Sequence, residues 1–163
     1  MKKKYYLKYL SDYDIPSGFN QTNLFTIKAA EQKGDEDEFS KIISKYEKKY
    51  KKQISWALLR LGTMIKKRGI QLDQFINESE DGNLPVYKLT ETGSLRLYFI
   101  ISDDITIIFG GGGEKFVKRW QDDPVLSKIL YALCDLIKEV DRHETIVTKE
   151  NCEELIFEIE LED

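Results

Sequence analysis

The spacing of apolar positions divides the chain into strand-like and helix-like stretches. Lys4 to Leu10 and Leu24 to Ala30 each gather aromatic and aliphatic side chains in a short run, which predicts two strands. From Asp35 or Asp37, either of which can cap a helix, apolar residues follow a three-four spacing. This spacing predicts a helical hairpin or one long bent helix, ended by Gly69. The predicted buried face comprises Phe39, Ile42, Ile43, Tyr46, Tyr50, Ile54, Ala57, Leu58, Leu61 and Ile65.

Three more strands are predicted in the middle of the chain. They are LPVYKL, LRLYFIIS and ITIIF, at residues 84–89, 95–102 and 105–109. The last two are apolar on both faces, so we expect them to lie centrally in a sheet.

The dipeptide Asp103-Asp104 suits a tight hairpin loop between the last two strands. That loop would pair Ile100 with Ile107, and it would place Arg96 opposite Gly111. The predicted register therefore brings Arg96 next to a run of four glycines, residues 110–113.

The C-terminal part of the chain predicts one more helix and a final extended stretch. Asp122-Asp123-Pro124 suits a helix start, and an apolar stripe runs from Leu126 to Val140. Residues 154–161 alternate apolar and acidic side chains, which favours a strand, with a helix as the alternative. The expected fold class is α+β, with a small antiparallel-rich sheet, an N-terminal helical hairpin and a C-terminal helix.

Composition fits one globular domain spanning residues 1–163. Apolar residues make up 41% of the chain and aromatic residues 12%, which is enough to build a core. The basic start lacks the apolar segment of a signal peptide, and no apolar run has the length of a membrane span. These features lead us to expect a cytoplasmic protein.

Charge is distributed unevenly along the chain. The formal net charge is −4, yet residues 141–163 hold nine acidic and two basic side chains. The preceding residues 1–140 therefore carry a small positive charge, which permits a nucleic-acid partner without requiring one. The alternative is that the acidic end only increases solubility.

The glycine run does not form a known phosphate-binding motif. Gly113 is followed by Glu114 rather than the lysine of a Walker loop, and Lys115 occupies the position of the third glycine of a dinucleotide-binding motif. The run then predicts a flexible strand exit, in the simplest case a loose turn or bulge.

Basic and aromatic side chains are expected to meet at one end of the sheet. Arg96 and Tyr98 share a side of their strand, and Lys88 lies on the strand before. The remaining members of the predicted cluster are Lys115, Phe116, Lys118, Arg119 and Trp120. Cations beside aromatic rings suit RNA phosphates and splayed bases. Alternatively, the lysines only solvate a loop, and Glu114 or a tail acid neutralises Arg96.

Other reactive residue types give weaker signals. Cys134 and Cys152 form no CxxC pair and no histidine stands at ligand spacing, so we expect no metal site and no cofactor. The acidic pairs 103–104 and 122–123 are interpreted as a turn and a helix start. His143 is interpreted as a surface residue.

The order of predicted elements resembles the RelE/ParE superfamily of toxins from bacterial type II toxin–antitoxin systems. The resemblance covers residues 22–120, namely a strand, a helical hairpin, three strands, glycines and a basic segment. It makes residues 121–163 a helical, acidic C-terminal extension. The family contains metal-independent endoribonucleases that cleave mRNA on the ribosome, and it also contains gyrase poisons. An antitoxin protein is the implied partner.

The resemblance assigns roles to individual side chains. Arg96, Lys88 and one or more of Lys115, Lys118 and Arg119 would bind the scissile phosphate and stabilise its developing charge. Tyr98 would move a proton or stack on a base. Lys115, Lys118, Arg119 and Trp120 would bind nucleic acid.

This chain also departs from the family pattern. It is acidic overall, it continues for some forty residues past the basic segment, and it has no histidine near the glycines. The acidic tail could cover the basic end as a mimic of antitoxin or nucleic acid. Two alternatives stay open, a non-catalytic interaction protein of the same fold and an unrelated α+β protein of a mobile element.

Overall fold

Two early strands, two helices, four strands, a long helix and a last strand follow one another along the chain. The computed structural model describes residues 3–10, 22–30, 37–79, 82–101, 103–143, 147–148 and 150–159. The elements are β1 (Lys3–Tyr9), β2 (Asn23–Ala29), α1 (Glu38–Tyr46), α2 (Lys51–Thr63), β3 (Phe75–Asn77), β4 (Val86–Leu89), β5 (Leu95–Ile101), β6 (Thr106–Glu114), α3 (Pro124–His143) and β7 (Phe157–Ile159). A π-helical turn, Met64–Arg68, extends α2 to Gly69, whose φ is 74°.

The strands form one mixed sheet in the order β3-β4-β5-β6-β2-β1-β7. β2 runs parallel to β6, and the other neighbouring strands are antiparallel. A parallel pair needs a long crossover connection. Here that connection contains both α1 and α2 together with β3, β4 and β5.

Each face of the sheet is covered by different helices. On one face Leu97 and Phe99 of β5 join a core with α1 and α2, including Leu61. On the other face Tyr98 and Ile100 join a core with α3. The prediction that β5 and β6 lie inside the sheet, apolar on both faces, is confirmed.

The glycine run lies inside β6, buried, where α3 crosses the sheet. A Cβ atom on Gly110 would collide with the side chain of Leu133, and one on Gly113 would lie 3.3 Å from a methyl carbon of Leu126. Gly111 has a φ of 147°, which other residues rarely adopt. The predicted flexible exit was wrong, because the glycines are a buried part of β6 that lets α3 pack against the strand backbone. The simpler alternative, a bulge, is confirmed at Gly110.

The predicted N-terminal helical hairpin was wrong. Two strands, β1 and β2, precede the helices, and α1 packs mainly against β2 and β6 rather than against α2. The apolar stripes of both helices are therefore buried against the sheet. The sheet is also larger than predicted, because β3 adds a strand at one edge and β2 joins the sheet in parallel. What the structure supports is a generic α+β fold.

The predicted hairpin register was wrong by one residue. Ile100 pairs with Ile108 instead of Ile107. Asp103 accepts hydrogen bonds from the backbone N–H groups of Ile105 and Thr106, at 2.9 and 2.7 Å, which makes the turn longer than two residues.

A bulge then shifts the register once more between β5 and β6. Phe99 pairs with Phe109 while Tyr98 pairs with Gly111, which leaves Gly110 without an opposite residue. Arg96 consequently pairs with Gly113 rather than with Gly111.

Several other predicted elements are confirmed. Strands are found at β1, β2, β4, β5 and β6, and Asp37 caps α1 by accepting a hydrogen bond from Ser40 N at 2.8 Å. α3 begins at Pro124 as predicted. The alternation in residues 154–161 corresponds to the short strand β7, and residues 160–161 of that prediction lie outside the described residues.

Candidate functional site

Three basic side chains share the α3 face at one end of the sheet. Lys88 of β4 stands opposite Tyr98, and Arg96 of β5 stands opposite Gly113. Side chains alternate between faces along a strand, so Arg96 lies on the same face as Tyr98 and Lys88. Lys115, two residues beyond Gly113, also lies on this face. The sequence prediction that Arg96, Lys88 and Lys115 converge agrees with this arrangement. We call these three residues the basic cluster.

Arg96 has an incomplete set of partners. One terminal nitrogen donates to the carbonyl oxygen of Gly93, while the Nε atom is buried and has no hydrogen-bond partner among the described residues. No described carboxylate lies within ion-pair distance of its guanidinium. A half-buried guanidinium in this state favours binding of an anion.

Glu114 does not neutralise Arg96, which excludes one alternative raised by the sequence. Its carboxylate accepts hydrogen bonds from Lys49 Nζ at 2.6 Å and from Tyr50 Oη at 2.7 Å. Both partners belong to the turn between α1 and α2, on the opposite face of the sheet. The ammonium of Lys49 and the hydroxyl of Tyr50 hold the pKa of Glu114 below its usual range.

Electrostatics link the members of the basic cluster. The pKa of Lys115 is lowered, first by burial and then by the positive charges of Arg96 and Lys88. Glu78 opposes this shift, and its carboxylate forms an ion pair with Lys88 at 3.1 Å. Three cations thus face one carboxylate, an excess of positive charge where an anion would be stabilised.

The two aromatic residues assigned to this site lie in the core. Tyr98 is 1% exposed, and burial, with a smaller contribution from Glu78, raises the pKa of its hydroxyl. Such a phenol stays protonated and has no access to a substrate. Trp120 is also buried and contacts Tyr131 edge to face. Neither residue can stack on a base, so we reject the roles that the sequence reading gave them.

The loop between β6 and α3 carries the other predicted residues. Lys118 and Arg119 are exposed on it, and no contact of theirs with Arg96 is observed. Phe116 is 78% exposed in the same loop and can supply the stacking surface that Tyr98 and Trp120 do not.

Glu78 is the residue that sequence reasoning missed. It lies just after β3, a three-residue strand that the sequence pattern did not predict. Because β3 pairs with β4 through Ile76 opposite Lys88, Glu78 comes close to the Lys88 ammonium. A prediction of a strand at residues 75–77, paired with β4, would have placed Glu78 near Lys88.

The acidic C-terminal stretch does not cover the basic cluster in the part that the structure describes. β7 pairs with β1, Lys4 opposite Glu158, at the far edge of the sheet. Four strand intervals separate β7 from β5, or about 19 Å at ~4.8 Å each. The antitoxin-mimic hypothesis is wrong for residues 157–159, because the tail extends the sheet instead.

The acidic pairs have structural roles, as the sequence suggested. Asp103 closes the β5–β6 turn, and Asp123 caps α3 by accepting hydrogen bonds from Val125 N and Leu126 N, both at 3.0 Å. Within the described ranges, no group of three or more His, Cys, Asp or Glu side chains is placed to hold a metal ion. α3 ends at His143, whose side chain lies outside the described part of the chain.

Comparisons with known proteins give no relative. No family model, no curated protein and no solved structure matches the chain significantly. A search of the described helices for a membrane span also finds none with sufficient length and apolar character.

Proposed function

We propose that the chain binds RNA through Arg96, Lys88 and Lys115 and acts as the toxin of a toxin–antitoxin pair. The activity would be that of a metal-independent, ribosome-associated mRNA endoribonuclease or another translation inhibitor, in the cytoplasm and controlled by an antitoxin protein. The observation that carries the proposal is the excess of three cations over one carboxylate on a single sheet face.

The basic cluster has the chemistry that a phosphodiester requires. A guanidinium donates parallel hydrogen bonds to two phosphate oxygens, and no described carboxylate within ion-pair distance competes for that of Arg96. Lys88 and Lys115 add point charges that contact the same or a neighbouring phosphate. Phe116 supports stacking of an unpaired base, which favours single-stranded RNA.

Cleavage without a metal needs proton transfer as well as charge. The 2′ oxygen forms a bond to phosphorus while the bond from phosphorus to the 5′ oxygen breaks. One group takes the proton of the 2′ hydroxyl, and another gives a proton to the 5′ oxygen. Arg96 would stabilise the negative charge on the phosphoryl oxygens. Glu78 and Lys115 are the proton carriers available here, and burial lowers the pKa of Lys115.

A second candidate is a protein that binds RNA without cleaving it. The observation that favours it is the burial of Tyr98, the residue to which the RelE/ParE resemblance assigns proton transfer. Binding needs only the cations, whereas cleavage also needs accessible acid and base groups.

The test compares Arg96→Ala with Lys48→Ala, an exposed lysine in the turn between α1 and α2. Affinity for a single-stranded RNA is measured by fluorescence anisotropy at one fixed salt concentration, because phosphate binding depends on salt. Arg96→Ala should weaken binding at least about tenfold, since a charge-assisted contact contributes roughly 1.5–3 kcal/mol. Lys48→Ala should bind like the wild type. Equal affinity of all three proteins would refute the RNA-binding proposal.

Glu78→Gln distinguishes the two candidates. Removal of the carboxylate leaves Lys88 and Lys115 uncompensated, so RNA should bind more tightly in either case. If Glu78 carries a proton during cleavage, RNA 5′-end mapping should show fewer cuts despite the tighter binding. If expression of Glu78→Gln still arrests growth of the host while no RNA cuts are detected, the non-catalytic candidate would be favoured.

A further inference from the structure

A cavity of about 390 Å³ lies between α2 and the segment after β4, on the face of the sheet opposite to the basic cluster. Its lining includes Arg60 and Trp56 from α2, Arg68 from the π-helical turn, and Gln74. This volume lies within the range of small-molecule sites, roughly 300–1,000 Å³. The cavity shares no residue with the basic cluster.

Arg60 is a buried cation whose partners are incomplete. Its side chain belongs to a residue that is 7% exposed, and one terminal nitrogen donates to the carbonyl oxygen of Thr90 at 2.6 Å. The Nε atom is buried without a hydrogen-bond partner among the described residues. No described carboxylate lies within ion-pair distance, although Glu91 contributes at longer range. Buried guanidinium groups of this kind need an anionic partner.

Gln74 places an unsatisfied acceptor in the same cavity. Its Nε2 atom donates to Gln71 Oε1 at 2.7 Å, while its own Oε1 atom is buried and accepts no hydrogen bond from a described residue. Buried polar atoms of proteins are nearly always paired. A donor on Arg60 and an acceptor on Gln74 therefore remain for a ligand that offers the opposite groups.

Charges of both signs surround these two atoms. Arg68 adds a second cation to the cavity lining, and Asp73 and Glu91 add two carboxylates. Glu91 has a φ of 61°, a conformation uncommon for residues other than glycine, as functional positions often show. A simple anion would leave the Gln74 acceptor without a partner and would lie near two carboxylates, whereas a simple cation would leave Arg60 without a partner.

Apolar surface completes the cavity. Trp56, 44% exposed, and Leu59, 61% exposed, belong to its wall. The Arg60 guanidinium lies over the Trp56 ring, 5.5 Å from the ring centroid. This cation–π contact helps to hold the guanidinium in place. A ligand side chain can therefore replace water against this wall while its polar end contacts Arg60 and Gln74.

We propose that this cavity binds a small zwitterion, a free amino acid or short peptide whose carboxylate contacts Arg60 and Arg68. The ammonium group would donate to Gln74 Oε1 and face Asp73 and Glu91. An apolar or aromatic side chain would lie against Trp56 and Leu59. The site is independent of RNA binding at the basic cluster, on the other face of the sheet.

The test is a titration of the full-length ¹⁵N-labelled protein with L-phenylalanine, followed by NMR. The indole N–H of Trp56 and the Nε–H of Arg60 should shift and saturate, while the indole of the buried Trp120 should not. N-acetylphenylalanine lacks the ammonium and phenethylamine lacks the carboxylate, so each should bind at least about threefold more weakly. Equal binding of either analogue would overturn the zwitterion assignment.

Variants link the binding to named side chains. Arg60→Gln should abolish the saturable shift, but burial of Arg60 makes this variant prone to misfolding. Arg68→Ala, at an exposed position, and Gln74→Leu should therefore each weaken binding about three- to tenfold in a folded protein. Lys48→Ala serves as the control. Wild-type affinity in both Arg68→Ala and Gln74→Leu, or shifts that never saturate, would refute the site.

Discussion

Arg60 and Arg96 lie on opposite faces of the same sheet and show the same local defect. Arg60 is buried and Arg96 is half-buried. Each donates one hydrogen bond to a backbone carbonyl, and each has a buried Nε atom without a partner among the described residues. Their neighbours differ. Arg96 lies with two lysines and one carboxylate, whereas Arg60 lies with one arginine, two carboxylates and two amides.

This difference shows that the surroundings of an arginine, more than the arginine itself, select its ligand. An excess of cations suits a polyanion such as RNA, because each phosphate is stabilised by several charges at once. A balanced set of charges with an unsatisfied amide suits a small molecule that carries both signs. The two faces are therefore expected to respond differently to the same kind of substitution.

The largest expected difference comes from substituting one glycine near each arginine, Gly112 in β6 and Gly62 in α2. A Cβ atom on Gly112 would collide with the backbone oxygen of Arg96, so Gly112→Ala must displace β5 or β6. Overpacking against backbone should cost about 3 kcal/mol and lower the affinity for RNA by moving Arg96. Gly62 in α2 has open space around its Cβ position, and Gly62→Ala should stabilise the helix by about 1 kcal/mol.

Chemical denaturation measures both glycine variants. The midpoint should fall for Gly112→Ala and rise for Gly62→Ala, with unchanged slopes if both remain two-state. A Gly112→Ala protein as stable as the wild type would mean that β5 and β6 can separate at Arg96 at little cost. Arg96 would then not be held in a fixed position in the basic cluster.

A smaller effect should appear in the pH dependence of RNA binding. The pKa of Lys115 lies below the ordinary 10.5, so this side chain loses its proton, and with it a phosphate contact, earlier than other lysines as pH rises. Affinity for a deoxycytidine oligonucleotide, which resists alkaline hydrolysis, should fall about three- to tenfold as pH rises through that pKa.

Lys115→Arg provides the control, because arginine keeps its charge over the whole range. The variant should bind with little change in the same pH series. A wild type and a variant that weaken together would show that another group titrates, and Lys115 would then not contact the phosphate.

The smallest expected effect concerns Glu114, the neighbour of Lys115 that points to the other face. Its lowered pKa means that its hydrogen bonds with Lys49 and Tyr50 stabilise the fold above its unfolded pKa, and that this contribution is lost as pH falls through the folded pKa. Glu114→Gln should lower the melting temperature slightly at neutral pH and not in acid. Glu47→Gln, at a nearby exposed position, should change neither value.

Arg96 could be found from sequence, and Arg60 could not. A charged residue in a strand that is apolar on both faces is conspicuous, and side chains alternate reliably along a strand. In contrast, the helical stripe was extended from α1 through α2 with one phase, which assigned Leu58 to the core. The break after Tyr46 resets the helical phase, so that Leu58 is 42% exposed and Arg60 is buried.

The parts of the fold that sequence missed depend on long-range contacts. The bulge at Gly110 and the extended turn at Asp103 each add one residue, and no local pattern marks either. β3 is a three-residue edge strand that forms because β4 offers a partner. Tyr98 and Trp120 looked like site residues because sequence does not show that α3 covers them.

The parallel pairing of β2 with β6 has a consequence for how the chain becomes folded. Asn23 of β2 pairs with Thr106 of β6, far along the chain. During synthesis β2 therefore emerges from the ribosome long before its parallel neighbour has been made. Such distant contacts slow folding and leave apolar strand surface exposed in the meantime. Phe25 and Ile27, which end fully buried, would then be surfaces on which chaperones or neighbouring nascent chains compete with β6 during synthesis.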